Sequence, residues 1–172
     1  MATSHLVPVG EYLGSTYRPD VDYVDGRLEE RQLGETDHGT VQTRVILMLA
    51  LRELAWQVRV LTETRVQTGS TRYRIPDVCV MRRAWLRTPV VEEAPLLCVE
   101  VLSPRDSVAA MRRRVQDFLD MGVPVVWILD PQTRTAYVCG GEEMTEQKDG
   151  WLRVVGTAIE VEVAEIFSTL DV

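Results

Sequence analysis

Residues 96–102 read Leu-Leu-Cys-Val-Glu-Val-Leu, a nearly continuous apolar run broken by one carboxylate. Such a run is the pattern of a strand covered on both faces, which requires a sheet with other layers packed on either side of it. Glu100 sits in the middle. A buried lone charge costs several kcal/mol even after relaxation, so this side chain needs either a countercharge or a bound cation. A second acid, Asp77, has a similar setting between Ile75-Pro76 and Val78-Cys79-Val80. If the two strands are neighbours, Asp77 and Glu100 project from one face and converge. Spacing alone leaves two readings open: a site for Mg²⁺ or Mn²⁺, which need few protein ligands, or a buried ion pair with Arg74 or Arg114.

The surrounding pattern predicts a mixed α/β protein. Asp22 to Arg31 alternates apolar and polar residues about Asp25-Gly26 and predicts an antiparallel hairpin. Val41, Val45, Met48 and Leu51 recur at helical spacing within a first long helix of about 37–54, with Thr36 or Asp37 placed to cap it. Val58 to Gln67 and Thr71 to Met81 are β-rich and flank a Thr68-Gly69-Ser70 turn, with Pro76 marking an irregular spot before Asp77. Ser103-Pro104 ends the 96–102 strand. A helix over 107–121 then carries the apolar stripe Val108, Met111, Val115, Phe118 and Leu119, with Gln116 and Asp117 expected on its surface, and Gly122 closes it. Val125 to Leu129 is a further buried strand, which makes a βαβ crossover. Thr135 to Cys139 follows as a strand, then an acidic loop from Glu142 to Asp149. Two short strands, Trp151 to Val155 and Ile159 to Val163, come before an Ile166-Phe167 tail tucked on the core.

Length and apolar content, 172 residues and 45%, suit a single domain spanning 1–172. Met1 to Pro8 lacks the pattern of a signal peptide and no stretch approaches a membrane span, so the expected setting is cytoplasmic, with no membrane partner. Cys79, Cys98 and Cys139 are odd in number and set among valines and leucines, which argues for buried free thiols rather than disulfides or a zinc knuckle. With only His5 and His38 available, a metal would need oxygen ligands. The net charge of −7 argues against a protein that coats nucleic acid indiscriminately. Local basic clusters exist all the same: Arg65, Arg72, Arg74, Arg82, Arg83 and Arg87 surround the single acid Asp77, and Arg112 to Arg114 form a second group.

Three separated segments, Arg74-Ile-Pro-Asp77, Val99-Glu-Val-Leu-Ser-Pro104 and Gly122-Val-Pro-Val-Val-Trp-Ile-Leu-Asp-Pro131, together resemble the Uma-two family of restriction endonuclease-like proteins. The likeness extends from Val9-Gly-Glu-Tyr-Leu13 through Tyr23-Val-Asp-Gly26 and Asp37-His38 to Glu165-Ile-Phe167. It implies the fold of PD-(D/E)xK nucleases, a restriction-endonuclease-like mixed central β-sheet flanked by helices. It also implies hydrolysis of nucleic-acid phosphodiesters, with DNA the expected substrate. By that resemblance Asp77 and Glu100 are the metal-binding acids, Glu30 is an N-terminal acid that completes the site, and His38 falls where the family often carries histidine. The usual lysine is missing. The third position of the ExK motif is Leu102, and the migrated position, four residues before an aromatic on the next helix, is Arg114. Lys148, the only lysine of the chain, lies in a polar loop far along the sequence.

Arginine can hold and neutralise a phosphate, but with a pKa above about 12 it cannot act as a neutral base. Two further readings therefore stand beside the nuclease. One is an inactive member of the fold that binds nucleic acid or protein; the other is a structural or regulatory dimer whose acids are only salt-bridged. A homodimer suits a nuclease that cuts both strands of a duplex, with Trp56, Trp85 or Leu86 available for an interface.

Overall fold

The computed structural model describes residues 6–32, 34–141 and 143–171. His5 lies outside these, as does Glu142 at the start of the expected acidic loop. A short helix α1 (Val9–Gly14) leads into a hairpin of β1 (Val21–Val24) and β2 (Arg27–Glu30). Its turn places Asp25 and Gly26 at φ values of 49° and 87°, the left-handed pair that a tight two-residue hairpin turn requires. Helices α2 (Thr36–Ala50) and α3 (Glu53–Trp56) follow, then strands β3 (Val58–Thr62), β4 (Val66–Gly69), β5 (Arg72–Arg74), β6 (Val78–Arg82) and β7 (Leu97–Val101). Helix α4 (Val108–Met121) crosses to β8 (Val126–Asp130), after which come β9 (Thr135–Gly140), β10 (Glu143–Glu146), β11 (Trp151–Arg153), β12 (Glu160–Glu162) and α5 (Val163–Phe167).

The main sheet has the order β10-β9-β8-β7-β6-β3, and only the β7–β8 pair is parallel. That pair flanks the α4 crossover, so the mixed sheet with helices on its faces is as the sequence predicts. Gly122 ends α4 at φ 103°, a left-handed cap open to glycine. One face of the sheet packs aliphatic residues of β6, β7 and β8 against Val41, Val45, Met48 and Leu49 of α2 and Ile166 and Phe167 of α5. The other face offers Cys79, Met81, Cys98 and Ile128 to Met111, Val115 and Phe118 of α4. A four-stranded sheet, β2-β1-β5-β4, reaches α4 as well: Arg74 on β5 donates to Asp117 at 2.7 Å.

Four local expectations change. The long first helix is two, because the chain turns after Ala50 before α3 forms. Residues 58–67 and 71–81 each divide between the two sheets; Pro76 has no backbone N–H to donate, and the break falls there. Residues 143–146 form β10, pairing with β9, rather than a loop. Asp117, expected on the surface, is buried against Arg72 and Arg74. The three cysteines are buried and free.

Candidate active site

Antiparallel pairing sets Val78 opposite Val99, which brings Asp77, just before β6, level with Glu100 on β7. Because side chains alternate along a strand, Asp77 and Glu100 point to the same face as Cys79 and Cys98, the one covered by α4. Both are buried, at 4% and 0% exposure. Asp77 Oδ2 accepts from the backbone N–H of Val101 at 2.7 Å, which ties the two strands together through the acid itself. The side chains expected to converge do converge.

Arg114 reaches this pair from α4. Its Nη1 donates to Glu100 Oε2 at 2.7 Å, so the ion pair between Glu100 and Arg114 is real, whatever else the acids do. Arg74 serves other acids: it bonds Asp22 at 3.0 Å, Glu29 at 2.7 Å and Asp117 at 2.7 Å. His38, in the first turn of α2, places Nε2 3.5 Å from Asp77 Oδ2. Burial disfavours the charged imidazole, but the neighbouring Asp77 carboxylate outweighs it and raises the His38 pKa.

Glu30 is exposed, at the end of β2, and lines the same cleft as Arg31. A second N-terminal acid, Asp22 on the paired strand β1, is 2% exposed and reaches the same cluster of charges. Its Oδ1 accepts from Ile75 N–H at 2.9 Å, and its Oδ2 lies 3.6 Å from Arg114 Nε. Alternation could have found it: Asp22 lies among Val21, Tyr23 and Val24, an acid inside an apolar strand like Glu100.

Arg31 was not expected at all. Its Nη2 donates to Asp77 Oδ1 at 2.6 Å and lies 3.5 Å from Glu100 Oε2, and its Nη1 is 4.0 Å from Asp22 Oδ1. A guanidinium thus bridges the two acids. Burial opposes its charge, but Glu100, Asp77 and Asp22 together raise its pKa further. Just beyond it, Gly34 lies so close to the His38 ring that any side chain there would collide with the imidazole. The other end of the site opens into a cleft of about 470 Å³ lined by Arg31, Glu30, Ser103 and Arg105 among others.

The two acids respond to their surroundings in opposite ways. Burial pushes Asp77 up, but the His38 contact, Arg31 and the Val101 N–H prevail and hold it below the ordinary carboxylate range. Full burial of Glu100 outweighs Arg114 and Arg31, and its pKa is raised to about 6. Glu100 Oε1 is buried without a hydrogen-bond partner, as is Arg31 Nη1. Among the described residues no three His, Cys, Asp or Glu side chains form a ready cage for a metal. Mg²⁺ needs less: one or two carboxylates suffice because it keeps several waters. The all-oxygen pair of Asp77 and Glu100, with Oε1 of Glu100 still unpaired, fits that requirement once Arg31 is moved aside.

A mixed sheet with two converging carboxylates and a cation from the crossover helix defines a restriction-endonuclease-like protein. Residues 11–164 match the family described as "Uma2: Putative restriction endonuclease", and the chain belongs to that family. Among solved structures it is similar to a "putative nuclease belonging to DUF820" from Anabaena variabilis ATCC 29413. The TM-score is 0.81 at 20% identity, covering 94% of this chain and 97% of that one, and the likeness shows the shared fold. A weaker likeness, TM-score 0.37 at 12% identity over 79% of this chain and 13% of the other, is to a chain of a DrdV–DNA complex. No curated protein matches. Family and fold support a nuclease. No helix among the described residues is long and apolar enough to cross a membrane.

Proposed function

We propose that this chain is a metal-dependent endonuclease that hydrolyses phosphodiester bonds of nucleic acid, DNA first, as a single catalytic domain that pairs into a homodimer. The observation that carries the reading is the convergence of Asp77 and Glu100 on one sheet face with Arg114 2.7 Å from Glu100. Mg²⁺ or Mn²⁺ held by Asp77 and Glu100 would supply activation of a water and stabilisation of charge on the phosphate. Val101 N–H and His38 orient Asp77, fixing which of its oxygens faces the site. Arg114, anchored by Glu100, stands where the usual lysine would and stabilises negative charge developing on the phosphate. It cannot take a proton from water, so proton removal belongs to a group other than Arg114. Glu30, at the rim of the cleft, is available to substrate rather than to the acids.

The test is cleavage of plasmid and single-stranded DNA in Mg²⁺ or Mn²⁺, with Asp77→Asn and an EDTA control alongside. Cutting that disappears in both controls is the expected result, and cutting by Asp77→Asn equal to wild type would reject this site. The Arg31 bridge, 2.6 Å from Asp77, favours a second reading, an inactive fold member that binds nucleic acid or protein through its arginines. Absence of cutting together with salt-sensitive DNA binding would select it.

A further inference from the structure

We propose that Arg31 is a built-in competitor for the cation position, held between Asp77 and Glu100 until a divalent cation and a phosphodiester replace it together. The inference rests on the metal-dependent reading above and concerns how that site is loaded. Its geometry comes from three contacts of one guanidinium: 2.6 Å to Asp77, 3.5 Å to Glu100 and 4.0 Å to Asp22. A cation that lies within reach of three acids occupies the place where a metal would be attracted most strongly.

Charge balance decides how the exchange must run. Asp22, Asp77, Glu100 and Asp117 are matched in this core by Arg31, Arg74 and Arg114 together with Arg72, which reaches Asp117 from the surface. A divalent cation added to that balanced set leaves two uncompensated positive charges in a buried region, which is unfavourable. Moving Arg31 out removes one of them, and a phosphodiester moving in removes the other. The core is then as neutral as before. The exchange also relieves both orphans, since Arg31 Nη1 and Glu100 Oε1 lack partners while the arginine is in place.

Arg31 has somewhere to go. Its side chain is 14% exposed and lines the same cleft as Arg105 and Ser103, so a modest swing takes the guanidinium from the acids out to the solvent side of that cleft. It follows from linkage that metal and nucleic acid strengthen each other's binding in the native protein, because each favours the same displaced state of Arg31.

The experiment is a Mn²⁺ titration followed by the electron paramagnetic resonance signal of the free ion, with and without a phosphorothioate-linked DNA duplex that resists hydrolysis. It compares wild type, Arg31→Gln, Arg31→Lys and Asp77→Asn, with circular dichroism verifying the fold of each. Arg31→Gln should bind Mn²⁺ about tenfold more tightly than wild type in the absence of DNA, Arg31→Lys should resemble wild type, and DNA should tighten wild type by a larger factor than it tightens Arg31→Gln. Equal Mn²⁺ affinity in wild type and Arg31→Gln, lost in Asp77→Asn, overturns the competitor and leaves the metal site intact. Absence of Mn²⁺ binding in every variant overturns the metal site itself, and the competitor with it. Should Arg31→Gln fail to fold, Arg31→Leu repeats the comparison with an apolar side chain.

Discussion

The two faces of the six-stranded sheet carry different chemistry on the same strands. Along β7, Leu97, Val99 and Val101 face α2 and α5, while Cys98 and Glu100 face α4. The first face is aliphatic throughout, apart from the indole of Trp127. The second begins with sulfur-bearing and aliphatic side chains and ends in a cluster of four buried acids and the arginines paired with them. Each strand residue is thus fixed by burial of its neighbours on the opposite face, and the charged end inherits rigid backbone without needing rigid side chains of its own. Acids held on packed strands keep their spacing even when the cations among them exchange.

If that division of labour holds, damage to the first face should cost the most. Trp127 is fully buried and stands beside Val99, and its Nε1 has no hydrogen-bond partner. Trp127→Ala should lose about 3–5 kcal/mol of unfolding free energy in urea, from lost transfer energy and the cavity left behind. Trp127→Phe should cost much less, since it keeps most of the ring and removes an unsatisfied N–H. A Trp127→Phe loss as large as that of Trp127→Ala would mean that the indole N–H is satisfied after all and that the first face is not purely apolar in character.

On the second face the largest effect should come from breaking one partner of a pair. Arg114→Ala leaves Glu100 with only Arg31, 3.5 Å away, and should destabilise by about 3 kcal/mol. Adding Glu100→Gln to the same chain should recover most of it, because the uncompensated charge goes with the acid. Equal losses in the single and double variants would show that Arg114 acts through Asp22, 3.6 Å away, or through packing rather than through Glu100.

The same division explains what could be read in advance. Periodicity gave the helix over 107–121, the strand at 96–102 and the βαβ crossover, because aliphatic runs report burial directly. It also placed Asp77 and Glu100 together, since a carboxylate within a buried run is legible as an anomaly. Arg114 was legible only as a candidate ion-pair partner for the buried acids and through the family resemblance. Arg31 was not, because it closes the alternating 22–31 segment as one more charged residue among several, and its place depends on how the hairpin lies against the main sheet. Glu30 came from the family resemblance alone, and Asp22 was not singled out, because the hairpin register that turns Asp22 inward and leaves Glu30 exposed is a tertiary fact, though the apolar neighbours of Asp22 hinted at it. The division of residues 58–82 between two sheets likewise depends on long-range pairing that alternation does not encode.

The smallest expected effect is a slope with pH that separates the two acids of the second face. Glu100, raised by burial to about 6, binds its proton more tightly in the folded chain than in the unfolded one. Its contribution to stability is therefore full below about pH 4.5 and is lost as pH rises through about 6. Asp77, lowered by His38 and Arg31 despite its burial, has the opposite sign: its contribution is present above the ordinary carboxylate value and is lost as pH falls below it. Glu100→Gln removes the first effect and leaves the second. The interval from 4.5 to about 6 corresponds to about 2 kcal/mol, so Glu100→Gln should gain roughly that much relative to wild type between pH 4.5 and pH 7. Urea unfolding with EDTA present at several pH values measures it. A difference between the two proteins that stays constant over this range would mean that Glu100 is ionised throughout. Arg114 and Arg31 would then outweigh burial, and the charged end of the sheet would be held by its ion pairs as firmly as the other face is held by packing.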